Sequence, residues 1–293
     1  MRDRTIDRRG FLASAGALAA ASALGAGGTA AAAAAEPPWR KAYMLGQTKG
    51  PILPTFQMLK EAGFEGVELI SPNQLDQKEV LAARDETGLV IHGVSGAAHW
   101  GKPLSDPDPA VVAEGVAAIK QEFQDVKAYG GTTVLVVPAV VTRKVSYRQA
   151  WDRSQEQIRK LIPHAEEAGV KIAVEEVWNK FLLSPLEFAQ YIDEFQSPTV
   201  GAYFDVGNVV EYGYPEEWIR TLGKRILKVH IKEYAKPKRF SYKLGEGGEI
   251  DWPAVKQALL DVGYEGWISA ELGIADLAEA QDVVARMNRL LFD

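Results

Sequence analysis

The sequence predicts a single (β/α)8 TIM barrel, an α/β fold in which eight parallel strands alternate with eight helices. Apolar strand-like runs alternate with helical patterns at nearly regular spacing from Trp39 to the end of the chain. These runs lack strict polar alternation, as expected of parallel strands that are buried on both faces. No GxGxxG motif follows the first strand, which disfavours a doubly wound open sheet, the alternative with a similar pattern.

The predicted elements form eight strand-plus-helix units. The strands are residues 42–46, 66–70, 89–94, 132–138, 171–177, 200–206, 225–231 and 266–272. The helices are 53–62, 77–87, one that ends near 129, 147–168, 184–195, 215–222, one that starts near 251, and one that closes near 291. Gly63 and Gly88 mark helix ends because glycine accepts the left-handed conformation found there. Ser184-Pro185 and Asp251 mark helix starts, since Ser and Asp cap free amides and proline fits the first turn.

The bulk composition is that of one large globular domain. The chain has 293 residues, of which 47% are hydrophobic and 25% are charged. That is enough apolar material for a sizeable core. The absence of cysteine excludes disulfides, thiolate nucleophiles and cysteine-based zinc sites.

Residues 1–35 resemble a twin-arginine export signal. Arg8 and Arg9 precede a weakly hydrophobic run of Ala, Gly and Leu that ends in small residues at Ala33 and Ala35. Cleavage after Ala35 would leave a barrel domain over residues 36–293 and a periplasmic or secreted protein. The alternative is a retained membrane anchor, since the run is long enough to span a bilayer.

The charge balance argues against nucleic acid and membrane partners. Without its first 35 residues the chain has 29 basic and 37 acidic residues, a net charge of −8. An acidic chain is a poor general partner for nucleic acid or anionic lipid. A small-molecule substrate is therefore expected, and the sequence leaves open whether copies assemble into a homo-oligomer.

Four metal-capable residues lie at the ends of the last four predicted strands. They are Glu175, Asp205, His230 and Glu271. In a barrel these strands are neighbours and their carboxyl ends lie at the catalytic face. Three carboxylates and one imidazole make an oxygen-rich site, which suits Mn²⁺ best, with Mg²⁺, Co²⁺ and Zn²⁺ as the other candidates.

The chain resembles the xylose isomerase-like sugar phosphate isomerase/epimerase family, which includes tagatose and psicose 3-epimerases. The similar segments are VEEVWNKFLLSP (174–185), YFDVGN (203–208), KVHIKE (228–233) and LGEGGEIDWPAVKQALLDVGYEGWISAEL (244–272). The resemblance implies that the four residues above are the metal ligands. It also implies a mechanism in which Glu175 and Glu271 exchange protons with the sugar through an enediolate-like intermediate.

Two positions depart from the family pattern. Asn208 replaces a substrate-binding His of the ketose 3-epimerases, and an amide can hold a hydroxyl but cannot shuttle a proton. The strand-five carboxylate is doubled, Glu175-Glu176, so a shift of one residue would exchange the ligand. Glu175 is preferred because it directly ends the apolar run.

Five further residues are candidates for substrate binding: His99, Trp100, Trp178, Asn208 and Lys232. His99 and Trp100 follow strand three, where an aromatic face could carry a sugar, although Trp100 could equally pack a loop. Trp178 follows strand five, as does Asn179. Lys232 should share the side of the strand that His230 uses, and it is either a ligand of a sugar oxygen or an ion-paired lysine. His92 and His164 are interpreted as structural.

The glycine-rich segment 245–248 is a weak indication of phosphate binding, and an exported enzyme is expected to meet an unphosphorylated sugar. The basic loop from Lys236 to Lys243 leaves a carboxylated sugar open. Two alternatives keep the same site: a lyase or deglycosidase acting on a 3-keto glycoside, and a non-catalytic sugar-binding protein. An apurinic-site nuclease is disfavoured, because the chain has only four His and an acidic balance.

Overall fold

A computed structural model describes residues 37–46, 51–240 and 243–293 of the chain. Within them, eight strands form one closed barrel in the order β1 to β8, and each pair of neighbours is parallel. The predicted TIM barrel is therefore confirmed. The predicted export signal over residues 1–35 lies outside the described residues.

Strands and helices alternate along the described chain. The strands are β1 Trp39–Leu45, β2 Gly66–Ser71, β3 Val90–Gly96, β4 Thr133–Val136, β5 Lys171–Glu175, β6 Val200–Asp205, β7 Ile226–Ile231 and β8 Gly266–Ala270. The helices are α1 Leu53–Ala62, α2 Gln77–Thr87, α3 Pro109–Tyr129, α4 Tyr147–Ala168, α5 Pro185–Asp193, α6 Pro215–Leu222, α7 Trp252–Asp261 and α8 Leu277–Met287.

Helix boundaries follow the cap residues that the sequence displays. The Ser184 hydroxyl accepts a hydrogen bond from the Glu187 amide at 3.3 Å, and the Asp251 carboxylate accepts one from the Ala254 amide at 3.0 Å. Gly63 has a φ of 104°, the left-handed conformation that ends α1. Each cap satisfies backbone groups that a helix end leaves unpaired, which explains why the bounds could be predicted closely.

Three strands are shorter than their apolar runs by two residues or more. The runs 132–138, 171–177 and 266–272 extend past the last paired residues of β4, β5 and β8. Val137 stays buried beyond the end of β4 although it has left the ladder. Apolar composition reports burial rather than hydrogen bonding, so it overstates strand length here.

The barrel is apolar between strands and helices but polar along part of its axis. Several polar residues on the strands are almost completely buried, among them Glu68, His92, Tyr203, Lys228, His230 and Ser269. They connect the lower interior to the carboxyl end of the strands, where the predicted ligands lie. No helix among the described residues is long and apolar enough to cross a membrane.

Candidate active site

The carboxyl ends of β5 to β8 bring the four predicted ligands together. Asp205 is paired with His230 in the β6–β7 ladder, and the Glu271 amide donates to the Ile231 carbonyl at 3.0 Å, which fixes the chain just after β8. Ligand atoms of Glu175, Asp205, His230 and Glu271 all lie within 4.8 Å of one another. We call these four residues the carboxylate–histidine cluster.

His230 lies at the centre of the carboxylate–histidine cluster. Its Nδ1 is 3.3 Å from Glu175 Oε1, 3.6 Å from Glu271 Oε2 and 4.0 Å from Asp205 Oδ2. Burial alone would lower the pKa of His230, but the carboxylates around it outweigh burial and raise that pKa well above its ordinary value. The surrounding carboxylates therefore favour the positively charged ring when no metal ion is bound.

The surroundings shift the pKa values of the three carboxyl groups in the cluster differently. Burial raises the pKa of Glu271 to about 7, against the opposing effect of Lys232. Burial also raises the pKa of Glu175, opposed by His230. At Asp205 burial acts in the same direction, but Lys232 and His230 outweigh it and the pKa lies below its ordinary value. Glu271 is thus the carboxyl group whose pKa suits proton exchange near neutral pH.

Lys232 inserts its ammonium group between two members of the cluster. Its Nζ lies 2.7 Å from Glu271 Oε2 and 3.0 Å from Asp205 Oδ2. Gly207 permits this approach, since a Cβ at that position would come within 2.6 Å of Lys232 Cγ. Of the two interpretations offered by the sequence, ion pairing is what the structure displays, although Lys232 also lines the cavity described below.

The chemistry of the cluster fits a divalent metal ion. The cluster offers three carboxylates and one imidazole, a hard and oxygen-rich donor set. Asp205 Oδ2 is buried and forms no hydrogen bond among the described residues; Lys232 Nζ is its ion-pair partner at 3.0 Å, and a metal ion would take the place of that ammonium group. Glu176 is not part of the cluster, and neither of its buried carboxyl oxygens has a hydrogen bond within the described part of the chain. A buried cluster of this kind could hold a metal ion.

A cavity of about 420 Å³ opens directly above the cluster. Its walls include Glu175 and Glu271 together with all five residues proposed for substrate binding, which are His99, Trp100, Trp178, Asn208 and Lys232. Apolar side chains, among them Phe240, complete the lining. A pocket of this size, with charged groups on its floor and aromatic rings on its walls, suits a small polar ligand such as a carbohydrate.

His99 and Trp100, in the loop after β3, line this cavity in different ways. His99 Nδ1 lies 2.9 Å from the Gly96 carbonyl oxygen, so Nδ1 carries the hydrogen and Nε2 remains an acceptor. Burial lowers the pKa of His99, which keeps the ring neutral. Trp100 has 59% of its surface exposed and stands at the mouth of the cavity. Its ring contacts the His99 ring, with ring centroids 4.9 Å apart, and the exposed part of the indole can contact a ligand.

Trp178 and Asn208 line the same cavity and are held in place by hydrogen bonds. The Trp178 indole N–H donates to the Asn208 carbonyl at 3.0 Å, and the Asn208 side-chain amide donates to the Glu176 carbonyl at 3.0 Å. The Arg239 guanidinium stacks over the Trp178 ring at 4.9 Å. Asn179 points elsewhere: its amide donates to the Ala139 carbonyl, so it supports a loop rather than the cavity.

The sequence interpretation missed a polar layer directly below the cluster. Glu68 Oε2 lies 3.2 Å from His230 Nε2, and the Tyr203 hydroxyl donates to the same oxygen. Below them, Ser269 Oγ lies 3.5 Å from the Tyr203 hydroxyl and 3.1 Å from His92 Nε2. We call Glu68, Tyr203, Ser269 and His92 the lower polar layer. A single Glu inside the apolar run GVELI was the signal that could have revealed it.

The glycine-rich loop has a structural explanation. Glu233 accepts hydrogen bonds from the Gly245 amide at 2.7 Å and from the Trp252 indole at 2.9 Å. A Cβ at Gly248 would lie 1.8 Å from Glu233 Oε1. The loop therefore closes around a carboxylate of its own chain, and glycine is required by close packing.

Comparisons with known proteins agree with this geometry. The chain is 25% identical over 233 residues to D-psicose 3-epimerase of Ruminiclostridium cellulolyticum, covering 73% of this chain and 76% of the relative. It is 26% identical over 257 residues to an L-ribulose-5-phosphate 3-epimerase of Escherichia coli O1:K1, covering 80% of this chain and 89% of the relative. Such epimerases are isomerases, in agreement with the prediction of an enzyme of that class.

A solved structure extends the agreement in fold. The crystal structure of a 3-keto-D-glucoside 4-epimerase from E. coli superimposes with a TM-score of 0.72, at 20% identity, over 86% of this chain and 99% of the other. A family model described as xylose isomerase-like TIM barrel matches residues 56–290, which include the whole carboxylate–histidine cluster. The chain therefore belongs to the xylose isomerase-like TIM barrel family.

Proposed function

We propose that the protein is a divalent-metal-dependent epimerase or isomerase of an unphosphorylated carbohydrate. The observation that carries the proposal is the position of the carboxylate–histidine cluster at the floor of a cavity whose walls are aromatic and polar. Mn²⁺ is the ion best suited to this donor set, and Mg²⁺, Co²⁺ or Zn²⁺ are further candidates.

The proposed ligands are Glu175, Asp205, His230 and Glu271. A divalent cation held there would supply positive charge beside a substrate carbonyl and stabilise the negative charge that develops when a neighbouring proton leaves. The four side chains need no large movement, because they already lie within 4.8 Å of one another. The ammonium group of Lys232 must withdraw from Asp205 and Glu271.

Glu175 and Glu271 are the proposed proton-transfer residues. One removes the proton next to the carbonyl, and the other returns a proton to the opposite face or to the neighbouring carbon. Glu271 lines the cavity with 33% of its side chain exposed, and in the absence of a metal ion burial raises its pKa to about 7. Asn208 cannot take over this task, since an amide has no titratable proton.

Among the described residues, the chain's own carboxylates hold the backbone amides where a TIM barrel commonly binds phosphate, which supports an unphosphorylated substrate. In TIM barrels a phosphate group commonly binds at loops after strands seven and eight and at a helix N-terminus. Here Asp276 accepts from the Glu279 amide at 2.9 Å, and Glu279 accepts from the Ala275 amide at 2.8 Å. The chain's own carboxylates thus occupy the first turn of α8 and would repel an anion. Glu233 uses the Gly245 amide in the same way.

Export by the twin-arginine route, with a periplasmic or secreted location, belongs to the same proposal. It rests on the sequence of residues 1–35 alone, in which Arg8 and Arg9 precede a run of Ala, Gly and Leu. Comparing the mass of the mature protein in wild-type cells and in cells lacking that transport route tests it. An unprocessed chain that stays in the cytoplasm of both strains would contradict export.

A substrate panel tests the proposed activity. The purified protein is incubated with Mn²⁺ or with EDTA, together with psicose, L-ribulose, L-ribulose 5-phosphate and a 3-keto-D-glucoside, and products are identified by NMR and mass spectrometry. We expect an isomer of unchanged mass from an unphosphorylated sugar, formed only when metal is present. Release of an aglycone from the 3-keto glucoside would replace this proposal by the lyase alternative. Binding without any conversion would favour a non-catalytic sugar-binding protein.

A further inference from the structure

His230 presents its two ring nitrogens to different surroundings. Nδ1 faces the carboxylate–histidine cluster, where Glu175 Oε1 is 3.3 Å away. Nε2 faces down the barrel axis, where its contact is Glu68 Oε2 at 3.2 Å. A neutral imidazole has one nitrogen that carries hydrogen and one that has a lone pair. The partner of Nε2 therefore decides whether Nδ1 is available to a metal ion.

Glu68 is built into the barrel as a hydrogen-bond acceptor. It lies on β2 and is completely buried. The Tyr203 hydroxyl donates to Oε2, the same oxygen that faces His230. Tyr203 also packs its ring against the imidazole, with ring centroids 4.2 Å apart. Two donors that converge on one oxygen fit a carboxylate, which only accepts.

We propose that Glu68 is a positioning residue: when a metal ion is bound, it holds His230 in the tautomer with hydrogen on Nε2 and a lone pair on Nδ1. In metal sites, a carboxylate that accepts from the second nitrogen of a histidine fixes the orientation of the ring and raises its basicity as a ligand. Tyr203 supports Glu68 from the side. The inference rests on the proposed metal-dependent function, and it assigns a role to a residue that lies outside the cavity.

The proposal makes a prediction about the wild-type protein that needs no substitution. Histidine labelled with ¹⁵N reports its tautomer by long-range ¹H–¹⁵N correlation, and Zn²⁺ provides a diamagnetic ion for this measurement. We expect His230 to show hydrogen on Nε2 and the shift of a metal-bound Nδ1. A spectrum with hydrogen on Nδ1 would overturn the proposal, since the metal ion would then have to bind Nε2 or leave His230 free.

Metal affinity provides the second test. Mn²⁺ is titrated calorimetrically into the wild type, Glu68→Gln and Tyr203→Phe, with thermal unfolding as the control for folding. Glu68→Gln keeps the shape of the side chain and removes its charge, and we expect the dissociation constant for Mn²⁺ to rise by about 10- to 100-fold. Tyr203→Phe should raise it less, because the contact between Glu68 and His230 survives.

Ser269→Ala is the matched control. Ser269 belongs to the lower polar layer, but its contacts are with Tyr203 and His92 rather than His230. Its substitution should leave Mn²⁺ affinity unchanged, and an equal loss in all three variants would show a general packing effect and contradict the proposal. Wild-type affinity in Glu68→Gln would overturn the positioning role alone. A wild type that binds no divalent ion would overturn the proposed function as well.

Discussion

The two layers of the barrel interior contain similar side chains but are built differently. In the carboxylate–histidine cluster, Lys232 spans two acidic groups, and Glu271 lines the cavity with 33% of its side chain exposed. In the lower polar layer, Glu68 accepts from Tyr203 and faces His230, and all of its members are sealed from solvent. The upper layer can exchange its partners through the cavity, whereas the lower layer cannot. Substitutions in the carboxylate–histidine cluster should therefore affect catalysis and metal binding directly. Substitutions in the lower polar layer should affect how His230 is positioned as a metal ligand.

The largest effect should come from the proposed acid–base residue of the upper layer. Glu271→Gln keeps the size of the side chain but removes its ability to exchange a proton, so turnover should fall by about 10²- to 10⁴-fold. Steady-state kinetics measures this loss, and circular dichroism checks that the fold is retained. Glu265→Gln, at an exposed position directly before β8, is the control. Turnover near the wild-type rate would remove Glu271 from the mechanism.

The next largest effect, on metal affinity, distinguishes two adjacent carboxyl groups: Glu175 at the end of β5 and Glu176 directly after it. Glu175→Gln should weaken Mn²⁺ binding by about 100-fold or more, because a ligand atom loses its charge. Burial and the neighbouring Asp205 and Glu175 raise the pKa of Glu176 well above its ordinary value. The protonated form of Glu176 is thus favoured more than in an ordinary Glu, and Glu176 lies outside the cluster, so Glu176→Gln should change Mn²⁺ affinity by less than about threefold.

Calorimetric titration at pH 7 compares these two variants under the same conditions. A larger loss of Mn²⁺ affinity in Glu176→Gln than in Glu175→Gln would show that the strand-five ligand is shifted by one residue.

Substitution of Lys232 should have a smaller effect on metal affinity, and it should strengthen binding instead of weakening it. Its ammonium group competes with a metal ion for Asp205 and Glu271, so Lys232→Met should tighten Mn²⁺ binding by about tenfold. Lys243→Met is the control, since Lys243 contacts Asp282 at 3.7 Å, away from the cluster. Competition with a fluorescent metal indicator measures both variants. Weaker binding in Lys232→Met would show that the lysine supports the metal site instead of competing for it.

The smallest effect should appear at the rim of the cavity. Trp100→Ala removes an exposed aromatic face and should raise KM for the sugar by about three- to tenfold, because one stacking contact is lost. Metal affinity should not change. Tyr214→Ala, which is 73% exposed and does not line the cavity, is the matched control. An unchanged KM in Trp100→Ala would assign Trp100 to loop packing.

The same comparison explains what could be predicted from the sequence. Glu175, Asp205, His230 and Glu271 could be placed together because parallel strands bring their carboxyl ends to one face, and no side-chain contact had to be known. Glu68 could not be assigned in this way. Its contact with His230 spans 162 residues and depends on closure of the barrel, which turns both side chains toward the same axis.

Side-chain contacts also determine which of the residues near the cluster line the cavity. Trp178 and Asn179 follow β5 one after the other, yet only Trp178 lines the cavity, since Asn179 donates to the Ala139 carbonyl. The ion pairs of Lys232 depend on the close approach that Gly207 allows. Local sequence pattern carries information about caps, strands and rim positions, whereas these contacts arise from packing between distant segments.

Hydrogen exchange with solvent tests the central claim most directly. The converted sugar from the substrate panel is incubated in D₂O with the wild type and Mn²⁺, with the wild type and EDTA, and with Glu271→Gln and Mn²⁺, and the metal is removed before NMR. We expect deuterium at the carbon beside the carbonyl with the wild type and Mn²⁺, and none in the two controls. Epimer formation that proceeds equally well in EDTA, or at the wild-type rate in Glu271→Gln, would contradict metal-dependent proton transfer by this site.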